Sequence, residues 1–238
     1  MQPHQVQWTP DKVGAFWDHV AEIESQADQY FTRIAGASVA HHLAQRIDLA
    51  HKTVLDFGCG PGHLFPHLVR AAPTARYFGV DFSPRSVDEL DRTWGHHRQY
   101  LGSSALSFPV TLDRRFDVVV CCEVIEHLDD VMLDKVSTAL SQLLRPGGRL
   151  YLTTPNSEDL SAQQVMCPDC GGRFHRWQHQ RAWTARSLAA HFSRYGLTGH
   201  RTEALTYTAS PVRGQVETTV RRLLRQSLPN LCYVGTRG

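Results

Sequence analysis

A glycine-rich turn that directly follows a short apolar segment constrains this sequence more than any other feature. The segment Val54-Leu55-Asp56-Phe57 runs into Gly58-Cys59-Gly60-Pro61-Gly62. Glycines at alternate positions let the backbone turn sharply and lie close against a ligand. A strand, a glycine-rich turn and a helix form the entry unit of a doubly wound α/β fold, whose ligand lies at the carboxyl end of the strand. The sequence therefore predicts a ligand-binding α/β domain.

Further apolar strands alternate with helices after this turn. The predicted strands are 75–81, a third near 97–101 that ends at Gly102-Ser103-Ser104, 116–122, 149–154, 197–205 and 231–236. The continuous apolar run at 116–122 is typical of a strand buried in a parallel sheet. A late helix over 213–228 is predicted to turn Val216, Val220, Leu223 and Leu224 inward.

The pattern divides the chain into two parts. Residues 1–50 predict helices that form either a lid or buttress for the core or a wall of a substrate pocket, and residues 51–238 predict the α/β domain. The segment 157–183 breaks the alternation after the fifth strand, so it is predicted to be an insertion into that domain.

Composition limits the class of protein. The 238 residues carry a net charge of +2 with histidine neutral, which neither requires nor excludes a nucleic-acid partner. No signal-peptide pattern and no apolar run of the roughly 20 residues needed to span a bilayer is recognisable. Because most of the six cysteines fall in predicted strands or turns, we expect a cytoplasmic, reducing location. The 14 histidines raise the expectation of a metal or acid–base site.

Four motifs in order resemble class I S-adenosylmethionine-dependent methyltransferases. They are the glycine turn, Gly79-Val80-Asp81, the stretch from Phe116 to Leu128 that ends in Glu-Val-Ile-Glu-His-Leu, and Leu143-Leu-Arg-Pro-Gly-Gly148. The Gly-x-Gly-x-Gly spacing differs from the Gly-x-Gly-x-x-Gly of nicotinamide enzymes. The resemblance covers about residues 50–205 and implies an α/β, Rossmann-like, seven-stranded methyltransferase fold with S-adenosylmethionine as cofactor.

The resemblance also implies which residues bind the cofactor. The glycines would let the backbone approach the methionine part, Asp56 would face its amino group, Phe82 would flank the adenine, and Glu123 would face the cofactor or the floor of the site. Asp81 lies about 20 residues after the turn, where an acidic residue accepts hydrogen bonds from the ribose hydroxyls. The full predicted set is Asp56, Gly58, Cys59, Gly60, Gly62, Asp81, Phe82, Ser103, Ser104 and Glu123.

The segment Glu123-Val-Ile-Glu126-His127 resembles a segment of two O-methyltransferase groups. One acts in the ubiquinone pathway, and the other methylates the terminal 2′-hydroxyl of small RNAs with a bound Mg²⁺. The second resemblance implies that Glu123, Glu126, His127 and His179 would ligate Mg²⁺. Alternatively, the glutamate caps a helix without a metal, as in many small-molecule enzymes. We then expect His127 and Glu126 to form the catalytic pair.

The insertion contains a second pattern that could bind metal. Cys167-x2-Cys170-x4-His175-x3-His179 matches a zinc knuckle, with the two histidines spaced for one helical face. The pattern predicts a Zn²⁺ clip that orders the insertion. The alternatives are two free cysteines with two surface histidines, or a redox pair. His179 cannot easily serve both Zn²⁺ and Mg²⁺.

These motifs predict a methyltransferase that acts on a small-molecule acceptor, most plausibly at a hydroxyl. One alternative is metal-assisted 2′-O-methylation of an RNA 3′ end, although a net charge of +2 is small for a broad phosphate footprint. A second alternative is an inactive cofactor-binding module that docks a partner through the clip. No membrane span is predicted, and the sequence does not indicate an oligomeric state.

Overall fold

The computed structural model describes residues 2–23, 28–107, 110 and 112–238. Its helices are α1 (Pro10–Glu22), α2 (Phe31–Arg46), α3 (Phe65–Ala71), α4 (Pro84–Trp94), α5 (Asp130–Leu143), α6 (Ala185–Ser193) and α7 (Pro211–Leu223), with a 3₁₀ turn at Ile125–His127. Its strands are β1 (His4–Gln5), β2 (Thr53–Phe57), β3 (Arg76–Asp81), β4 (Tyr100–Ala105), β5 (Phe116–Cys122), β6 (Leu144–Pro155), β7 (Gln164–Met166), β8 (Gly172–His175), β9 (Leu197–Leu205) and β10 (Asn230–Arg237).

Seven strands form the central sheet in the order β4-β3-β2-β5-β6-β10-β9. The first five of these are parallel, and β10 runs antiparallel to both β6 and β9. In the centre, Leu55 of β2 pairs with Val119 of β5, and Phe57 pairs with Cys121. The near-continuous apolar runs of these strands suit a sheet covered on both faces. The predicted α/β, Rossmann-like, seven-stranded fold is confirmed.

Two apolar cores lie on opposite faces of the sheet. On one face, α5 and α6 contribute Leu140 and Phe192, which are fully buried. On the other face, α2 and α3 contribute Leu43 and Leu68. Because every central strand is covered on both sides, the polar residues at the strand ends are the groups left for chemistry.

The insertion forms a second, three-stranded sheet together with the N-terminal strand. Strand β8 pairs with β1 in parallel and with β7 antiparallel. The ring of Trp8, just before α1, packs edge-on against Phe174 with centroids 5.8 Å apart. The N-terminal segment and the insertion, which are far apart in sequence, therefore support one another.

Three predicted placements are corrected by the structure. The third strand runs through Ser103 and Ser104, so these serines lie inside β4 rather than after it. The fifth strand begins at Leu144, which pairs with Phe116 of β5, and the Arg-Pro-Gly-Gly segment interrupts the register before pairing resumes at Arg149, with Gly147 at a φ of 74°. The predicted inward face of α7 is wrong, since Val216 is 58% exposed and Leu223 is 78% exposed.

No helix in the described ranges has the length and apolarity to cross a bilayer.

A polar cluster joins α2 to strand β9 and lies away from the glycine turn. Glu203 lies 2.7 Å from Arg46 Nε and 3.1 Å from His42 Nε2. The other ring nitrogen of His42 is 2.8 Å from the hydroxyl of Tyr151. The hydrogen bonds from His42 and Arg46 outweigh burial and hold the pKa of Glu203 well below its usual value. The Glu203 carboxylate therefore stays charged and ties the outer strand to the helical layer.

We expect Glu203→Gln to lower the free energy of unfolding by about 2 kcal/mol at neutral pH, because charge-assisted hydrogen bonds are lost. A depressed carboxyl pKa adds stability above the usual pKa of glutamate, and this stability is lost as the pH falls toward the folded-state value. The difference between variant and wild type should therefore shrink below about pH 4. Urea unfolding from pH 7 to pH 3 measures it. Glu89→Gln, which removes an exposed pair with Arg92, is the matched control. An equal effect of both variants would contradict the role of the cluster.

Candidate functional site

A cavity of about 300 Å³ opens at the carboxyl ends of the central strands. Its walls come from α1, the start of α2, the glycine turn, the end of β3, the segment 122–128 and two residues of the insertion, Trp177 and His179. Parallel strands end on one edge of the sheet, and for this reason segments distant in sequence converge there. The glycine turn and the segment Glu123–His127 therefore meet in this cavity.

The glycine turn and Asp81 form one hydrogen-bonded unit on the cavity wall. Asp81 accepts a hydrogen bond from the amide of Gly60 at 2.8 Å and another from the amide of Ser83 at 2.9 Å. Gly58 has a φ of 77°, and a Cβ there would come within 2.4 Å of a methyl group of Val124. A Cβ on Gly60 would meet nothing within 4 Å. The turn therefore requires glycine at Gly58 for its conformation, and at Gly60 the backbone is open to a ligand.

The other predicted cofactor residues are divided between the cavity and the protein interior. Cys59, Phe82 and Glu123 line the cavity. Asp56 and Gly62 lie outside its lining; Asp56 is buried, and burial together with the nearby Asp81 raises its pKa to about 7.

The two serines also lie outside the cavity lining. The hydroxyl of Ser103 donates to Asp91 at 2.7 Å, and that of Ser104 donates to the adjacent Ala105 carbonyl. The structure thus brings the glycine turn, Asp81 and Glu123 together but leaves both serines apart from them.

Two buried carboxyl groups stand at the end of β5. Glu123 has a φ of 51°, in the left-handed region, and Glu126 lies in the 3₁₀ turn with its side chain only 1% exposed. Thr154 donates to Glu126 Oε2 at 3.1 Å, while Oε1 of both glutamates is buried without a hydrogen-bond partner. Burial raises the pKa of Glu123 to about 7 and that of Glu126 well above its usual value. These carboxyls therefore hold a proton near neutral pH or need a cation beside them.

His127 is a buried neutral imidazole beside these carboxyls. Its Nε2 lies 3.9 Å from Glu126 Oε1, and its Nδ1 is buried with no partner. Its ring packs edge-on against Trp17 of α1 with centroids 4.9 Å apart. Burial and the neighbouring His179 keep the pKa of His127 well below its usual value. His127 can therefore accept a proton or bind a metal without first losing one.

Residues of the insertion hydrogen-bond to backbone carbonyls in and next to the 3₁₀ turn that contains Glu126 and His127, here called the Glu-His turn. The sequence motifs did not reveal these contacts. Gln178 donates to the carbonyl of His127 at 2.7 Å and accepts a hydrogen bond from the indole of Trp17 at 3.1 Å. The backbone amide of Gln180 donates to the carbonyl of Glu126 at 2.8 Å. The guanidinium of Arg181 donates to the carbonyl of Leu128 at 2.9 Å. Neither Gln178 nor Gln180 belongs to a recognisable motif, because their role depends on which carbonyls face them in three dimensions.

Ligand-type side chains cluster in two groups that share His179. One group is Glu126, His127 and His179; the other is Glu158, His175 and His179. Within each group, the ligand atoms lie within 4.8 Å of one another. Glu158 was not predicted, since a single glutamate in an irregular segment carries no local signal.

The predicted zinc ligands Cys167, Cys170, His175 and His179 do not assemble into one site. Among the residues that the structure describes, no ligand group includes a cysteine. His175 ends strand β8, so the assumed helical face does not exist, and the two histidines turn toward Glu158. The amides of Cys170 and Asp169 lower the pKa of the Cys167 thiol, as expected for a tight turn of this sequence. The four predicted ligands therefore do not form one group in this structure, and Zn²⁺ binding by them stays a prediction.

Comparisons with known proteins agree with this architecture. A family model described as "Methyltransferase domain" matches residues 27–202. The ubiquinone biosynthesis O-methyltransferase of Pseudomonas fluorescens (strain Pf0-1) is 28% identical over 142 residues, which cover 59% of this chain and 58% of that protein. The chain thus matches less than two thirds of the length of this relative.

Two solved structures share the fold along almost the whole chain. The 1,6-didemethyltoxoflavin-N1-methyltransferase of Burkholderia thailandensis has a TM-score of 0.62 at 19% identity, covering 99% of this chain and 93% of its own. An S-adenosylmethionine-dependent methyltransferase of Clostridium acetobutylicum has a TM-score of 0.61 at 15% identity, with 93% and 98% covered. Since the family model spans most of the sequence, the chain belongs to the methyltransferase domain family, in which this Rossmann-like fold carries S-adenosylmethionine-dependent methyl transfer.

Proposed function

We propose that the chain transfers a methyl group from S-adenosylmethionine to a hydroxyl group of a small-molecule acceptor. One observation carries the proposal: the buried pair Glu126 and His127 lines the same cavity as the glycine turn and Asp81. The relative from Pseudomonas fluorescens is named an O-methyltransferase, which supports a hydroxyl as the acceptor group.

The residues present fit the cofactor. Gly60 leaves space where a side chain would stand, and the adjacent Asp81 offers carboxylate oxygens at the position where nucleotide-binding folds hold a ribose. We assign Gly58, Cys59, Gly60, Asp81 and Phe82 to this half of the cavity, with Glu123 beside it. The bound sulfonium makes its methyl carbon electrophilic, so the protein has only to align the acceptor and manage one proton.

His127 is the residue that would accept the proton of the acceptor hydroxyl. Its pKa is low, so the imidazole is neutral near pH 7 and can receive the hydroxyl proton as the oxygen attacks the methyl carbon. Glu126 lies beside the ring and would stabilise the imidazolium that forms. Trp17 and Tyr30 form apolar walls and would exclude water from the acceptor.

A second candidate is metal-assisted O-methylation of a vicinal diol, including the 3′ end of an RNA. The ligand group Glu126, His127 and His179 supports it, as do three buried atoms without partners: Oε1 of Glu123, Oε1 of Glu126 and Nδ1 of His127. Carboxylate and imidazole donors suit a divalent cation such as Mg²⁺ or Mn²⁺. Such an ion would lower the pKa of a coordinated hydroxyl.

We expect Asp81→Asn to weaken cofactor binding about tenfold or more, because two amide hydrogen bonds lose their charged acceptor and the glycine turn loses its support. Isothermal titration of the full chain with S-adenosylhomocysteine measures the change. Ser103→Ala is the matched control, and its affinity should stay within about twofold of wild type, ~0.4 kcal/mol. A large loss in the serine variant would instead place the predicted Ser103 contact in the cofactor site.

We expect Glu126→Gln and His127→Asn each to reduce methyl transfer about 100-fold, because proton transfer by a positioned side chain contributes about that much. Transfer of a tritiated methyl group into a pool of small hydroxylated metabolites, and in parallel into RNA with a 3′ diol, measures activity and acceptor class. Glu217→Gln, on the outer helix α7, is the control and should keep wild-type activity. Tight cofactor binding without transfer to either pool would favour the inactive binding module.

We expect a divalent cation to raise the melting temperature more at pH 8 than at pH 6. A buried carboxyl with a raised pKa contributes stability that is fully present below the unfolded pKa of glutamate, about 4.3, and is lost as the pH rises to the folded value, about 7 for Glu123. An ion beside the carboxylates would offset the loss. Thermal unfolding with and without Mn²⁺ tests this, and Glu126→Gln should abolish the effect. A shift that is independent of pH, or kept in Glu126→Gln, would argue against metal binding there.

A further inference from the structure

The pair Glu158 and His175 lies outside the cavity lining, whereas its neighbour His179 lines the cavity. His179 Nδ1 is 2.5 Å from Glu158 Oε2, and His175 Nε2 is 3.4 Å from Glu158 Oε1. The two imidazole rings stack with centroids 4.4 Å apart and an angle of 15°. One carboxylate therefore faces two parallel histidine rings, and only one of these rings reaches the cavity.

The protonation of His175 follows from its backbone contacts. The amides of Trp177 and His179 both donate to His175 Nδ1 at 3.3 Å, so this nitrogen carries the lone pair. Burial, with the nearby His179, lowers the pKa of His175, so the ring is neutral. A neutral imidazole with a lone pair on Nδ1 carries its hydrogen on Nε2, which faces Glu158.

The carboxylate of Glu158 is charged. Burial alone would raise its pKa, but the hydrogen bond from His179 Nδ1 at 2.5 Å lowers it overall. A charged carboxylate accepts hydrogen bonds and donates none. His179 Nδ1 lies 2.5 Å from Glu158 Oε2 and therefore carries the hydrogen between the two atoms, so that in the neutral ring the lone pair is on Nε2.

The same distances argue against a metal ion held by Glu158, His175 and His179. Ligand atoms on a tetrahedral Zn²⁺ lie about 3.3 Å apart, given Zn–N distances of ~2.0–2.1 Å. The 2.5 Å between His179 Nδ1 and Glu158 Oε2 is a hydrogen-bond distance.

We propose that Glu158 is a positioning residue that holds His179 in the Nδ1–H form, with the His175 ring stacked against that of His179, so that Nε2 offers its lone pair to an acceptor hydroxyl or cation in the cavity. The inference rests on the proposed methyl transfer for its purpose. The arrangement itself rests only on the three side chains and two backbone amides. Carboxylates set the working tautomer of an active histidine in this way in other enzymes.

The test is the tautomer of His179 in the full chain labelled with ¹⁵N-histidine, read at neutral pH from two-bond proton–nitrogen correlations. His179→Gln identifies the signal. In wild type, we expect Nδ1 to have the shift of a protonated nitrogen and Nε2 that of an unprotonated one. In Glu158→Gln, we expect the tautomer ratio to move about tenfold toward Nε2–H, because a charged acceptor is lost. Glu217→Gln should leave the ratio unchanged.

Three results would overturn the proposal. The first is an Nε2–H tautomer in wild type, which tests the arrangement even if the variant fails to fold. The second is a folded Glu158→Gln that keeps the wild-type ratio. The third is one equivalent of Zn²⁺ bound by wild type and lost in Glu158→Gln and His175→Gln but kept in Cys167→Ser. Because the spectrum requires no acceptor, an Nδ1–H tautomer without methyl transfer would count against the proposed function alone.

Discussion

The burial of two carboxyl groups at the end of β5 is the constraint on which the site depends. Removing a carboxylate from water is strongly unfavourable unless it is protonated, hydrogen-bonded or next to a cation. Glu123 and Glu126 each keep one buried oxygen without a hydrogen-bond partner, although Glu126 is fully buried and Glu123 partly so. Such an arrangement persists only where the surrounding structure enforces it. The positive φ of Glu123 shows that the backbone takes part in that enforcement.

The enforcement comes from two parts of the chain that lie outside the central sheet, the N-terminal segment and the insertion. Helix α1 supplies Trp17, which contacts His127 and bonds to Gln178. The insertion supplies Gln178 and Gln180, whose hydrogen bonds fix the backbone of the Glu-His turn. The small sheet of β1, β7 and β8 joins these two parts. The N-terminal segment and the insertion therefore act as one support, and the central sheet supplies the cofactor half of the cavity.

The sequence predicted best where the requirement is local. An apolar run that leads into a glycine turn predicts a buried strand and a ligand loop, and β2 was correct for this reason. A continuous apolar run predicts a buried strand, and so β5 and the order of motifs were also correct. It predicted poorly where the partner is remote. The inward face of α7 failed because helical periodicity says which residues share a side and not whether anything covers that side. The four clip residues do not form one group because His175 and His179 meet Glu158, which lies far outside the local spacing. The end of the third strand was placed too early, because β4 continues through Ser103, whose hydroxyl donates to Asp91.

His179 links these conclusions, because a histidine has only two nitrogens to offer. Had both cysteines shared a metal with His179, its ring would have been committed to the insertion and withdrawn from the cavity. A hydrogen bond from Nδ1 to Glu158 commits one nitrogen and leaves the other available to Glu126 and His127. The hydrogen bond to Glu158 is thus compatible with His179 acting as a ligand or proton acceptor in the cavity. The predicted zinc clip, in contrast, would compete with the cavity site for His179. The oriented His179 ring would therefore be a ligand in catalysis with a metal, and in catalysis without one it would lie beside His127, the proposed proton acceptor.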